Sequence, residues 1–540
     1  MTLATYPLVS YAALLPEILL LAAGCIVLLF PAAASSERSP RAAWLTLLSL
    51  VGAILLLEFG PQMGFSLDGG SGLEFGRLSF FVRLSTLIVG VILTLVLWVQ
   101  PDPREQNEFF SMMLFTLTGL MVLGSATDLV VLFLALELVS IPTYVMVALS
   151  RQNAKSLEAG TKYFYLGAMA AAITAYGFAL LYGVCGTASL TGMQLRLTEI
   201  IANPAGNSLA FSIASLGLLL SLGGLLFKVS AVPFHFYVAD VYQGAASAVA
   251  GLLGFVPKLA GFAAMFKILA ACGWQTVSGG TFWVLWLVAA LSMTIGNILA
   301  LRQTNIKRML GFSGVAHSGY MLVGLLVGPH GQGMIGDGAA AVLYYTVVYG
   351  IANLGAFAVL SVLRVRGESA ETLRDIAGLL RRQPSLALLL SLAMFTLLGM
   401  PPTPGFWGKV GLFGSALSTA TATGGEQQYW LIVLVLIGMV NTAIGAAYYL
   451  RVIAACLLYE SDDPIDAVDR DAPRMGAVIC GFLTLMFMFY PTALYEPGRA
   501  ASSELIVAHS ATAPSALSLA GVSSDRAIAG VPSTEYPITP

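Results

Sequence analysis

The chain has 540 residues, 58% of them hydrophobic and only 10% charged, where an average soluble protein carries about 25% charged residues. That balance excludes an ordinary globular enzyme, and a net charge of −2 gives no footing for nucleic-acid binding. The five cysteines (Cys25, Cys185, Cys272, Cys456 and Cys480) are scattered, with no CxxC pair and no histidine at ligand spacing, so each reads as a small packed apolar residue.

A bilayer-spanning helix needs roughly 20 mostly apolar residues. Runs of that length predict an all-α polytopic membrane protein of about fourteen spans: 9–30, 42–59, 78–99, 109–126, 128–149, 158–184, 208–230, 246–271, 281–300, 309–328, 338–363, 384–420, 428–457 and 475–493. The first run has no basic residue ahead of it, contains Glu17 and is too long for a signal segment, so it reads as a retained span. The seventh runs on through Lys228-Val-Ser-Ala-Val-Pro-Phe-His235, with Pro233 inside, and the twelfth contains Gly399-Met-Pro-Pro-Thr-Pro-Gly405, with Pro401, Pro402 and Pro404. Proline removes a backbone donor and clashes with the preceding turn, so both helices should be interrupted at membrane depth.

Two segments read as non-membrane. Glu460 to Asp471 is acidic and predicts a solvated loop, and the tail after Gly498, rich in Ala, Ser, Pro and Thr, predicts disorder. Basic residues set the orientation. With the N-terminus outside, the inner connections hold Arg38, Arg41, Arg104, Arg151, Lys155, Arg302, Lys307, Arg308, Arg364, Arg366, Arg374, Arg381, Arg382, Arg470 and Arg474, and the outer ones only Arg77, Arg196, Arg499 and Arg526. Both termini then lie outside.

Of the seven lysines, Lys162, Lys228, Lys258, Lys267 and Lys409 fall within predicted spans, as does Glu137. An ionisable side chain at mid-bilayer costs about 2.5 to 3.5 kcal/mol on insertion scales, so each needs a reason to be there. Glu137 sits near the centre of its span and cannot snorkel; intramembrane carboxylates usually mark ion or proton paths, the alternative being a neutral or paired group that only holds helices together. Lys162 lies nearer the inner edge, where it either partners Glu137 or snorkels. Lys228 stands just ahead of Pro233, where freed carbonyls and water suit proton access. Lys258 follows Pro257 in mid-span, and Lys409 follows the second break. Lys267, nine residues beyond Lys258 and so on the opposite helix face, reads as an outer-edge anchor beside Cys272 and Trp274. His235 and His317 also fall in or near spans; a lone histidine is more often a satisfied core residue, but His317, among Ser313, Ser318 and Tyr320, can relay protons because imidazole titrates near neutrality. Burial disfavours an ammonium and a nearby carboxylate favours it, so a lysine beside a glutamate whose distance can change is a switchable proton-binding site. With no Walker motif, no GxGxxG after a strand and no cysteine cluster, the chain is read as a transporter whose electron transfer belongs to partners.

The stretches LFKVSAVPFHFYVADVYQGA, VPKLAGF around Lys258, QTNIKRMLGFSGVAHSGYMLVGLL and GMPPTPGFWGKVGLF resemble the signature segments of the antiporter-like subunits of bacterial complex I, the proton-translocating NADH:quinone oxidoreductase. The LLPEILLL opening and the ELVSIPTYVMVAL form of the fifth span are similar to the subunit N branch of that family. The resemblance runs to about residue 495. It departs locally after Tyr242-Gln-Gly, where this chain reads Ala245-Ala-Ser-Ala248 in place of an Ala-Pro-Thr-Pro-like run.

It implies two inverted five-helix repeats, each with a broken helix: an N-terminal three-helix region (1–108), a first repeat (109–272), a second repeat (273–459), an acidic loop with the last span (460–497) and a polar tail (498–540). It implies a Glu137–Lys228 pair, with Lys258 and Lys409 on a central hydrophilic axis and Lys162 and His317 in the same row. Also implied are a place in the bacterial inner membrane among other membrane-arm subunits, no cofactor in this chain, and FMN, iron–sulfur clusters and quinone in partner subunits. A cation/proton antiporter, stand-alone or of Mrp type, and a scaffold whose lysines only staple helices remain alternatives.

Overall fold

Away from water a lone polypeptide segment satisfies all its backbone donors and acceptors only as a helix, and the computed structural model follows that rule almost throughout. It describes residues 12–30, 40–60, 72–98, 105–150, 154–202, 206–274, 279–330, 333–365, 368–423, 426–460, 465–467 and 471–510. Helices α1 (Leu15–Leu28), α2 (Arg41–Phe59) and α3 (Arg77–Leu97) come first. Next are α4 (Gln106–Ser125), α5 (Leu129–Leu149), α6 (Ala154–Cys185), α7 (Leu190–Ala202), α8 (Ser208–Lys228), α9 (Val238–Gly244) and α10 (Ser247–Cys272). Then α11 (Gly280–Leu301), α12 (Ile306–Val327), α13 (Gly333–Gly336) and α14 (Gly338–Val362) lead to the strands β1 (Leu363–Val365) and β2 (Glu368–Ser369). The last elements are α15 (Leu379–Arg382), α16 (Pro384–Leu398), α17 (Pro404–Thr423), α18 (Glu426–Leu457), β3 (Ile465–Ala467), α19 (Asp471–Phe489) and α20 (Thr492–Ser510).

Thirteen of the fourteen predicted spans fall on one helix each, and the twelfth covers both α16 and α17. Among the described residues twelve helices are long and apolar enough to cross a membrane, with α1 and α16 as shorter apolar helices. Helices start where a side chain takes up a free amide: Asp128 accepts from Val130 N at 2.7 Å ahead of α5, Asn305 from Arg308 N at 3.1 Å ahead of α12, and Asp337 from Ala340 N at 2.9 Å ahead of α14. Both expected interruptions are present. Between α8 and α9 the chain is non-helical from Val229 to Tyr237, and α16 stops at Gly399, whose φ of 79° is left-handed. Pro142 and Pro257, by contrast, sit inside α5 and α10 without ending them.

Helices α10, α12 and α14 are enclosed along their whole apolar length and form the middle of the protein. Close approach of α11 to α12 depends on glycine: a Cβ at Gly319 would meet the main chain of Met293 at 2.7 Å, and one at Gly296 that of Ala316 at 2.6 Å.

Three segments outside the predicted spans carry structure. The connection between the sixth and seventh predicted spans contains α7, where Leu190, Met193, Leu197 and Ile200 bury one helical face. Residues of the acidic 460–471 loop are partly structured, since β3 pairs antiparallel with β1 (Arg364 opposite Asp466) and β1 with β2 (Arg364 opposite Ser369); its remaining members, Ser461–Pro464 and Val468–Arg470, lie outside the described residues. The expected disorder after Gly498 is corrected up to Ser510, because α20 continues through it. Ser502 donates to buried Asp337 at 2.8 Å, and Glu504 accepts from Leu78 N at 3.0 Å, tying α20 to the starts of α14 and α3. Residues 511–540 lie outside the described residues, as do Arg38, Arg104, Arg151, Arg366, Arg470 and Arg526.

Candidate functional site

A helix ending inside a membrane protein strands its last carbonyls, and their free lone pairs attract cations. Both breaks put a lysine there. Beyond the C-terminus of α8, the Val229 carbonyl accepts from Lys258 Nζ at 3.1 Å and from Ser318 Oγ at 2.5 Å. At the end of α16, the Leu398 carbonyl accepts from Lys409 Nζ at 2.7 Å. Lys258, only 2% exposed, also donates to Gly314 O at 3.0 Å and Ser318 Oγ at 2.8 Å, so all three ammonium donors are used. Two further polar groups of the first break are met locally: Val232 N donates to Ser292 Oγ at 2.9 Å, and Tyr237 donates to Phe227 O at 3.0 Å.

Lys228 closes α8, buried, with Nζ 3.4 Å from Glu137 Oε1 on α5. It also donates to Ser140 Oγ, one turn along α5, and Ser140 in turn donates to Leu136 O at 2.6 Å. Ser140 therefore holds the ammonium within reach of the carboxylate without forcing a tight ion pair. The glutamate side chain is 21% exposed against 7% for the lysine, so the pair runs from the interior to the edge of the fold.

His317, 2% exposed on α12, has both ring nitrogens engaged: Nδ1 with Tyr345 Oη at 2.8 Å and Nε2 with Tyr449 Oη at 2.8 Å. Around it stand the rings of Tyr349 and Tyr320, with centroids at 4.7 and 5.8 Å. The Lys409 ammonium lies 5.0 Å from the Tyr320 ring and that of Lys258 5.7 Å from the Tyr349 ring, so this aromatic group occupies the space between the two lysines.

Lys162 is placed elsewhere. It pairs with Glu158 and with Asp240 Oδ2, each at 2.7 Å, while Asp240 Oδ1 takes Arg308 Nη1 at 2.9 Å. With the lysine side chain 42% exposed, this cluster lies at the end of the fold, bracing α9 against α6 and α12, and Lys162 makes no ion pair with Glu137. Lys307, expected in an inner connection, instead lies wholly buried at the start of α12, with Nζ on Ala245 O at 2.7 Å and Glu371 Oε1 at 3.2 Å. Ala245 is where the chain departs from the family pattern, and its carbonyl is held there by that lysine. Arg83, inside the third span, was missed; it reaches Glu17 Oε1 at 2.7 Å and Ala13 O at 2.8 Å, with both charged side chains buried. An arginine within an apolar run that has a glutamate two spans earlier was the available signal.

The family model described as NADH:quinone oxidoreductase/Mrp antiporter, TM, matches residues 126–445, which contain both breaks and Glu137, Lys228, Lys258, His317 and Lys409. The NADH-quinone oxidoreductase subunit N of Trichlorobacter lovleyi is 36% identical over 471 residues, 86% of this chain and 91% of that relative. The chain belongs to the NADH-quinone oxidoreductase subunit N family. Another subunit N, from Rhodospirillum rubrum, is 32% identical, covering 92% of this chain and 97% of its own. Among solved structures, a chain of respiratory complex I from Thermus thermophilus with bound aureothin superposes with a TM-score of 0.70 at 29% identity, covering 91% of this chain and 99% of that one. A chain of the Mrp complex from a Dietzia species shares the fold at 19% identity, with a TM-score of 0.74 and coverage of 92% and 98%. The subunit N relationship thus extends over nearly the whole multi-span chain, both breaks included.

Proposed function

We propose that this chain is a membrane-arm subunit of a bacterial respiratory NADH:quinone oxidoreductase and conducts protons through the row Glu137, Lys228, Lys258, His317 and Lys409, driven by quinone reduction in partner subunits. The observation that carries the reading is the pair of lysines seated on the carbonyls of the two interrupted helices, Lys258 on Val229 and Lys409 on Leu398. An ammonium there gains from the carbonyl and the helix dipole, and a neutral amine forgoes that gain, so a small shift of either break changes how tightly the proton is held. Lys228 is balanced between Ser140 and Glu137 and exchanges one partner for the other as the carboxylate approaches or recedes.

The same reading takes 109–272 and 273–459 as two repeats of opposite orientation. Counting crossings, α8 and α16 enter from opposite faces. The protein then lies in the bacterial inner membrane with both termini outside, and FMN, iron–sulfur clusters and quinone belong to partner subunits. Identity of 36% to a subunit N favours this over an antiporter working alone.

The test replaces Lys228 by Met or Glu137 by Gln in the whole complex and measures proton uptake and quinone reduction in membrane vesicles. Loss of proton uptake in an assembled complex is expected; unchanged uptake per quinone reduced would return these side chains to a stapling role.

A further inference from the structure

The row as described has a gap. Lys258 spends its donors on Val229 O, Gly314 O and Ser318 Oγ, and Lys409 binds Leu398 O, so neither ammonium touches the imidazole of His317. Both ring nitrogens of that imidazole are occupied by phenol oxygens at 2.8 Å. Among the described residues, the groups in hydrogen-bond contact with the His317 ring nitrogens are therefore these two tyrosines.

We propose that Tyr449 and Tyr345 are proton-carrying residues that join the Lys258 and Lys409 ends of the row through His317. The inference rests on the proposed proton conduction and names further groups that perform it. Two observations give the tyrosines their sides. The ring of Tyr345 packs directly on Gly408, the residue before Lys409, which leaves Tyr449, on the other ring nitrogen of His317, to serve the Lys258 end. Finally, the hydroxyl of Tyr349 is buried without a protein partner and faces Gly314 beside the Lys258 side chain, where it adds a spare donor at the Lys258 end.

The step balances without oxidant or cofactor. A neutral imidazole offers one N–H and one bare nitrogen. Starting with the proton on Nδ1, Tyr449 takes a proton on oxygen from the Lys258 side and passes its own to Nε2. The Nδ1 proton moves to the oxygen of Tyr345, which releases its original proton toward Lys409. Two O–H bonds and the Nδ1–H bond break, two O–H bonds and the Nε2–H bond form, and the imidazole is left as its other tautomer. Packing alone does not account for the hydroxyls, since phenylalanine fills nearly the same volume with no buried O–H to satisfy.

Tyr345→Phe, Tyr449→Phe and Lys258→Met are made in the whole complex, and protons moved per quinone reduced are measured in vesicles. Each phenylalanine variant is expected to lower that ratio as far as Lys258→Met does, and the double variant no further, because the residues act in series. In a second measurement 3-fluorotyrosine replaces either residue, keeping its size and hydrogen bonds while making the phenol more acidic. It is expected to move the pH profile of pumping, which a packing role would leave in place. If the phenylalanine variants and fluorinated proteins pump as the unaltered complex does while Lys258→Met does not, the tyrosine path is overturned and the lysine row stands. If Lys258→Met itself pumps normally, the row falls and the tyrosines with it.

Discussion

The ammonium of Lys258 stands 3.1 Å from the main-chain oxygen of Val229, across the gap where α8 has ended. Ser318 shares both partners, donating to Val229 O and accepting from Lys258 Nζ. Replacing Lys258 by Met should abolish the row's proton transfer, whereas Ser318→Ala removes the hydrogen bonds to Val229 and Lys258, each worth about 1 kcal/mol, and should slow pumping without abolishing it. Initial rates of proton uptake in vesicles check the order; a serine variant as impaired as the methionine variant would contradict it.

The buried pair of Arg83 and Glu17 lies in the N-terminal helices, apart from the row. Removing one partner strands a charge, at a cost of about 3–5 kcal/mol, while replacing both by apolar residues of similar size is often neutral. Arg83→Met or Glu17→Leu alone should reduce the amount of this subunit in membranes, and the double variant should restore it with normal protons per quinone. Blots of membranes beside pumping assays would decide the matter.

For Lys162 a mild phenotype is expected. Its side chain and that of Asp240 are 42% and 37% exposed, and ion pairs this open to solvent are worth less than about 1 kcal/mol. Lys162→Ala should leave pumping near normal, in contrast to Lys228→Met, and raising the salt concentration should change it little. Complete loss of proton uptake in Lys162→Ala would instead place this lysine on the path.

Helix α20 should matter for stability rather than transport. Glu504 accepts from Leu78 N at the start of α3, and loss of such a cap costs about 0.5–2 kcal/mol. Glu504→Ala should lower the thermal midpoint of the purified complex while leaving quinone reduction and proton uptake intact, as read by calorimetry and vesicle assays on one preparation.

The spans and both breaks were legible because they depend on run length and proline, which act locally. So were the charged residues, since the cost of placing them in oil sets them apart. The tyrosines were not. Tyr345 and Tyr349 on α14 look like aromatic filling in an apolar run, and their hydroxyls gain meaning only when α12 and α18 bring His317 and Tyr449 alongside. The sequence leaves Lys162 open between pairing with Glu137 and snorkelling, because its partner Asp240 lies 78 positions away and a sequence gives no distance between them. Helix α20 escaped because Ala, Ser and Pro in the tail outweigh its few apolar residues, Leu494, Tyr495 and Leu505, that pack into the core.

The two breaks present nearly the same seat to a cation: the end of a half-helix, one freed carbonyl and an aromatic ring close by, Tyr349 for Lys258 and Tyr320 for Lys409. A proton that quits one seat meets a receiver of like make at the other, so the chain has rungs of similar height and no slope of its own. Which way protons travel is then decided from outside, by whatever tilts the ladder during each catalytic cycle.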